Sequence, residues 1–141
     1  IPINYNSQNI TEYVNEHTNG KGFDVIFDTV GGDVLTNSFE AAKLEGRVSS
    51  VNTRVKCDLS ILHQKALSLH VVFMIIPILH DQNEGKLRHG EVLKEIAKKV
   101  DSGSISPLIH KQIYSFEKIS EAHKLLEEGN AVGKVILKGF D

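Results

Sequence analysis

The stretch from Gly22 to Gly32, GFDVIFDTVGG, constrains the fold more than any other part of the chain. Val25, Ile26 and Phe27 form an unbroken apolar run, the pattern of a parallel strand covered on both faces. Asp28 and Thr29 then place polar groups at its carboxyl end. In open α/β sheets, ligands bind in the crevice outside such ends. Gly31 and Gly32 allow close backbone approach or positive φ. The segment reads as the ligand edge of a nucleotide-binding α/β sheet.

The neighbouring sequence alternates strand and helix. Ile1 to Tyr5 is a short strand end, and Ser7 caps a helix from about Asn9 to His17. The strand Asp24 to Val30 leads to a helix capped by Asp33 and running to about Leu44. Arg47 to Val51 is the next strand, and Arg54 to Leu67 is a loop with a short helix. Leu69 to Ile76 is apolar and β-branched, a strand stopped by Pro77. Ile78 to Lys86 is a polar connection with an exposed tip at Glu84–Lys86, followed by a helix from Gly90 to Val100. Leu108 to Tyr114 is a strand, Ser115 caps the last helix, and Gly133 to Leu137 is the final strand. This order predicts an α/β fold with a parallel sheet. The break near Ser102 to Pro107 is the candidate domain boundary.

Composition narrows the function classes. At 141 residues the chain has about one domain's length. A net charge of −2 argues against a general nucleic-acid binder. The apolar run Val71 to Leu79 is shorter than the roughly 20 residues of a membrane helix. Cys57 is the single cysteine, so neither an internal disulfide nor a cysteine-rich zinc site is expected, and a reducing cytoplasm fits. The sequence starts at Ile1 without signal-peptide features, as expected if a leader or tag was removed or if it belongs to something longer.

A dinucleotide fold should open with a G-x-G-x-x-G turn between strand and helix, and no such motif occurs between Ile1 and Asp141. The matching segments are instead GFDVIFDTVGG at 22–32, Ser38–Phe39, GRVS at 46–49 and LSLHVVFM at 67–74. GSISPLI at 103–109, EAHKLL at 121–126 and GNAVGKVIL at 129–137 complete the series. In this order they resemble the carboxyl-terminal part of medium-chain dehydrogenase/reductases. The quinone oxidoreductase-like and zinc-type alcohol dehydrogenase-like branch is the nearest match.

The resemblance implies a partial Rossmann-like parallel sheet, the second half of a nucleotide-binding domain, over residues 1–105. Residues 106–141 would return to the catalytic domain as a strand-helix-strand unit. It implies a parent enzyme of more than twice this length that moves hydride from NADPH to a quinone, enone or aldehyde. The first catalytic segment, the glycine turn, the residue that selects NADP over NAD and the zinc-holding positions have no counterpart here, so zinc is not bound by these residues and they are expected to be inactive alone. By the same resemblance, Thr29 and Val30 lie near the adenosine half of the cofactor. Ser50, Val51 and Asn52 approach it chiefly with backbone atoms. Phe73 and Met74 offer backbone hydrogen bonds to the nicotinamide carboxamide, and Lys134 reaches toward the cofactor cleft.

Each assignment has a plainer alternative. Val51, Phe73 and Met74 are equally well core residues. Asp28 either orients the ribose or caps a neighbouring backbone group, and Asp33 reads as a helix cap. His63, His70, His80 and His89 lie in one region but lack the i, i+4 spacing of a helical zinc pair. His70 reads as a core or interface residue, and Cys57 as a bystander thiol. Lys94, Lys98 and Lys99 alternate with Glu91 and Glu95, as in a solvated helix face.

The resemblance also places Leu69–Ile76 at a sheet edge that pairs with a second subunit, so a homodimer through this strand is expected. A rival reading is a non-catalytic nucleotide-binding or dimerisation module. A weaker one is a methyltransferase-like sheet.

Overall fold

The structure, a computed structural model, describes residues 1–139. These fall into two compact units, Ile1–Asp81 and Gln82–Asp141.

The first unit opens with helix α1, Ile10–Thr18. Asn9, not Ser7, caps it. Its side chain accepts from Glu12 N at 3.0 Å while Glu12 Oε2 accepts from Asn9 N at 2.8 Å. This reciprocal box satisfies two amide donors that helix geometry leaves unpaired. Strand β1, Phe23–Asp28, is followed by α2, Val34–Ala41, and β2, Ala42–Ser50. Helix α3, Ser60–Lys65, strand β3, Ser68–Val71, and a four-residue helix α4, Ile76–Leu79, complete the unit. The three strands are parallel in the order β1-β2-β3. The α/β class and parallel pairing expected from sequence are present, whereas residues 1–5 form no strand.

Leu35, Phe39, Ala42 and Val48 form the core, with Ile26, Val55, Leu62 and Leu69 packed on it. Cys57 is a half-buried neighbour of this cluster. Helix α2 stops at Ala41, earlier than expected, because Lys65 intercepts its end. Lys65 Nζ donates to the carbonyls of Phe39 (3.2 Å), Glu40 (2.7 Å) and Ala42 (2.8 Å). A cation on these carbonyls satisfies acceptors a helix end leaves open and opposes the negative end of the helix dipole. Asp33 makes no side-chain cap bond to α2, against expectation. Between Ala42 and Arg47 the β1–β2 register slips around Glu45, whose φ is 59°. Beside this bulge Lys43 pairs with exposed Asp24, and that hydrogen bond and charge lower the Asp24 pKa.

The edge strand is shorter than the expected Leu69–Ile76. It ends at Val71, and Ile76 N donates to the Phe73 carbonyl at 3.1 Å, turning the chain into α4. Pro77 sits in the first turn of α4, where its missing N–H costs nothing. His70 is exposed on β3 and not a core residue.

The second unit begins with α5, Asn83–Asp101, which replaces the expected exposed tip and starts well before Gly90. Gly85 is buried within it. Strand β4, Ile109–Ser115, a single 3-10 turn at Phe116–Lys118, helix α6, Ile119–Glu127, and strand β5, Lys134–Lys138, follow. β4 and β5 are parallel, as a strand-helix-strand unit requires. Gly133 crosses so close to β4 that a Cβ there would lie 2.5 Å from the Leu108 carbonyl oxygen. Buried His110 accepts from Val132 N at 3.3 Å through Nδ1. Ser115 makes no cap bond, and hydrogen bonding to it lowers the pKa of Glu117.

Candidate functional site

The site forms where β1, β2 and β3 end. Asp28 closes β1 with a carboxylate that is 5% exposed. Its Oδ1 accepts from Val30 N at 2.9 Å and Gly31 N at 2.7 Å, while Oδ2 accepts from Ser50 Oγ at 2.9 Å. One carboxylate thus caps its own turn and ties the ends of two strands together, the local role for which aspartate suits turns. Ser50 is fully buried.

Asn52 extends the lock. Its carbonyl accepts from Gly32 N at 3.3 Å, and its Nδ2 donates to the Val30 carbonyl at 3.4 Å. Gly31 has φ of 70°, and a Cβ there would come within 2.0 Å of the Asn52 carbonyl oxygen. Glycine is therefore required at 31 by both backbone angle and space. Asn52 Oδ1 also accepts from Arg54 N at 3.4 Å, which carries the lock into the following loop.

Beyond β2 and β3 lies an open pocket of about 390 Å³. Val51, Val71, Phe73 and Ile75 supply its apolar lining, and Asn52, Thr53 and Arg54 its polar lining. Arg54 Cζ lies 5.4 Å from the centroid of the Phe73 ring, a cation–π contact. A larger groove of about 1060 Å³ runs along β1, lined by Tyr13, Phe23, Val25, Phe27, Val30 and Val34 among others. Among the described residues β1 pairs with β2 alone, and Val25 and Phe27 are more than 60% exposed.

The structure sorts the expected site residues. Val51, Asn52 and Phe73 meet in the pocket, with Val51 and Phe73 partly exposed. Asp28 and Ser50 hold the turn from inside with buried side chains, and Asp28 caps the amides of Val30 and Gly31. Thr29 is exposed, and Val30 faces the groove along β1. Met74 is exposed outside the pocket lining, and Phe73 and Met74 occupy a turn, not the strand expected for them. Lys134 begins β5 in the other unit, where its N–H donates to the Leu108 carbonyl at 2.8 Å. Arg54 was not among the expected residues. Its signal in sequence is a cation two positions past a polar strand end, inside a stretch with no clear periodicity.

Comparisons with known proteins follow the same outline. "Highly reducing polyketide synthase 40" of Fusarium pseudograminearum is 30% identical over 121 residues, covering 85% of this chain and 5% of that protein. "Probable quinone oxidoreductase" of Schizosaccharomyces pombe is 26% identical over 130 residues, covering 92% of this chain and 39% of its own. The crystal structure of an alcohol dehydrogenase superfamily protein from Novosphingobium aromaticivorans superposes with a TM-score of 0.81 at 31% identity, covering 93% of this chain and 40% of that one. The chain thus spans less than half the length of each of these relatives. The family model described as zinc-binding dehydrogenase matches residues 1–137. The resemblance read from the motif series is borne out: the chain belongs to the zinc-binding dehydrogenase family.

Proposed function

We propose that these residues are the carboxyl-terminal part of a nicotinamide-dependent oxidoreductase that reduces a quinone, enone or aldehyde with NADPH. The observation that carries this reading is the locked turn pair at the ends of β1 and β2, opening onto the pocket of Val51, Asn52 and Phe73. That is the position where open parallel sheets receive a dinucleotide. The bare edge of β1, with Val25 and Phe27 exposed, supports a further strand supplied by preceding sequence, since long apolar edges are normally covered.

The donor set fits part of the cofactor. Val51 and Asn52 would flank it with backbone atoms, and the turn at Phe73 and Met74 would hold its carboxamide. The Phe73 carbonyl already accepts from Ile76 N, and a carbonyl has a second lone pair. When bound, the nicotinamide supplies the hydride. The chain's own residues do the rest. Asp28, Ser50 and Asn52 fix the turns that frame the pocket, and Val51, Phe73 and Ile75 give it apolar walls that displace water. Zinc does not fit. Among the described residues no group of three or more His, Cys, Asp or Glu side chains could hold a metal ion, and a zinc site needs at least three such ligands. Residues 1–105 are proposed to belong to the nucleotide-binding domain and 106–141 to the catalytic domain, with Lys134 near the cofactor cleft. A homodimer is proposed through the β3 edge.

The test compares two proteins: the 141-residue chain and the longest natural chain that contains it. The expected result is NADPH oxidation by the longer chain with a quinone or enone acceptor, and none by residues 1–141. A longer chain that neither binds nor oxidises NADPH overturns the oxidoreductase reading. Oxidation by residues 1–141 alone overturns their proposed inactivity. Strong self-association without cofactor affinity would favour the non-catalytic module.

A further inference from the structure

The pocket beyond β2 and β3 combines an apolar lining with a single cationic side chain, Arg54. Among the described residues no carboxylate lies within ion-pairing distance of it. Its contact is the face of Phe73, at 5.4 Å. A cation–π contact fixes where a guanidinium sits without using up its N–H donors. The backbone beneath it is also held: Arg54 N donates to Asn52 Oδ1, Val55 N donates to the Thr53 carbonyl at 2.9 Å, and Asn52 is locked to the β1 turn. The guanidinium is thus a placed, permanently charged, unneutralised fork at an apolar pocket. Guanidinium geometry matches carboxylate and phosphate oxygens in pairs.

Resting on the oxidoreductase reading above, we infer that Arg54 is an oxyanion-binding residue of this pocket. It selects a ligand that places a carboxylate or phosphate beside an apolar group. Two sources carry that chemistry: an acidic substituent on the acceptor substrate, and a phosphate of the dinucleotide. Neutral acceptors would still enter the apolar part of the pocket but gain nothing from the cation.

The experiment uses the longest natural chain containing these residues, as wild type, Arg54→Gln and Arg54→Lys. Acceptors are benzalacetone and its para-carboxylate, and NADPH affinity is read by fluorescence titration. If the substrate supplies the anion, Arg54→Gln raises KM for the carboxylate by about ten-fold or more, in line with charged hydrogen bonds. KM for benzalacetone and Kd for NADPH then change by a clearly smaller factor than KM for the carboxylate, and an unchanged urea-unfolding midpoint shows that the variant is folded. If the cofactor supplies it, Kd for NADPH rises by about the same factor and the two acceptors remain equivalent. In either case Arg54→Lys restores part of the loss, because it keeps the charge but not the fork. Equal behaviour of wild type and Arg54→Gln with both acceptors and with NADPH overturns the inference while leaving the oxidoreductase reading intact. A wild-type chain that neither binds NADPH nor oxidises it with these or a quinone acceptor overturns that reading and this inference together.

Discussion

The two compact units treat their apolar surface in opposite ways. In residues 1–81, Leu35, Phe39, Ala42 and Val48 are all at or below 1% exposure and close a core between α2 and the sheet. In residues 82–141, Tyr114 and Ala122 are the buried apolar residues among those described, while Leu87, Val92 and Leu93 on α5 stand 57–70% exposed. Both regions carry regular helical stripes in sequence. A stripe reports that a helix needs an apolar neighbour, not where that neighbour is. On α2 the neighbour is β2, next in the chain; on α5 the stripe meets no comparable cover among the described residues.

The sharpest way to break this contrast is at Phe39. It is fully buried, so Phe39→Ala removes a large side chain from the centre of the densest cluster among the described residues. The expected loss is about 3–5 kcal/mol. It should appear in urea unfolding and as faster amide exchange at Val48 and its β1 partner Ile26. A loss below about 1 kcal/mol would mean that the core of the first unit is not close-packed.

A smaller effect tests the turn lock within the same unit. Gly31→Ala must place a Cβ against the Asn52 carbonyl at positive φ, whereas Gly32→Ala has positive φ but open space around it. Backbone strain of this kind costs about 1–3 kcal/mol. Gly31→Ala should therefore destabilise more than Gly32→Ala in the same urea experiment. Equal costs would show that the Asn52 loop moves freely and that the lock does not hold the pocket.

How much of this was legible beforehand follows from range. The strand around Ile26, the turn glycines and the final strand-helix-strand unit declare themselves through contiguous patterns, and all are present. Lys65 is different: its grip on α2 spans more than twenty residues, and a lysine in a loop-like stretch carries no sign of it. The strand ends at Val71 although Val72 to Ile76 is as apolar as a strand, and only the turn made by Ile76 N on Phe73 distinguishes it. The site was half readable for the same reason. The family resemblance names Val51, Asn52 and Phe73, but whether Asp28 faces a ligand or its own turn depends on where Ser50 places its hydroxyl. Arg54 enters only through its stacking on Phe73, across a gap in sequence that no local pattern bridges.

The least disruptive change asks whether the second unit is as open as it looks. Leu93 lies mid-stripe on α5 and is 65% exposed. With little apolar area to lose, Leu93→Ala should shift unfolding of the 141-residue chain by no more than about 0.5 kcal/mol, in either direction, since alanine is also the better helix former. The measurement is urea unfolding at two protein concentrations an order of magnitude or so apart. A loss of about 2 kcal/mol or more that grows with concentration would show the stripe buried against a second copy, because a partner stabilises by mass action. The same loss without concentration dependence would place the cover within the chain. Either result would bring α5 into line with α2 and remove the contrast between the units. A negligible shift leaves the apolar face of α5 uncovered in the 141-residue chain, and the contrast with α2 stands.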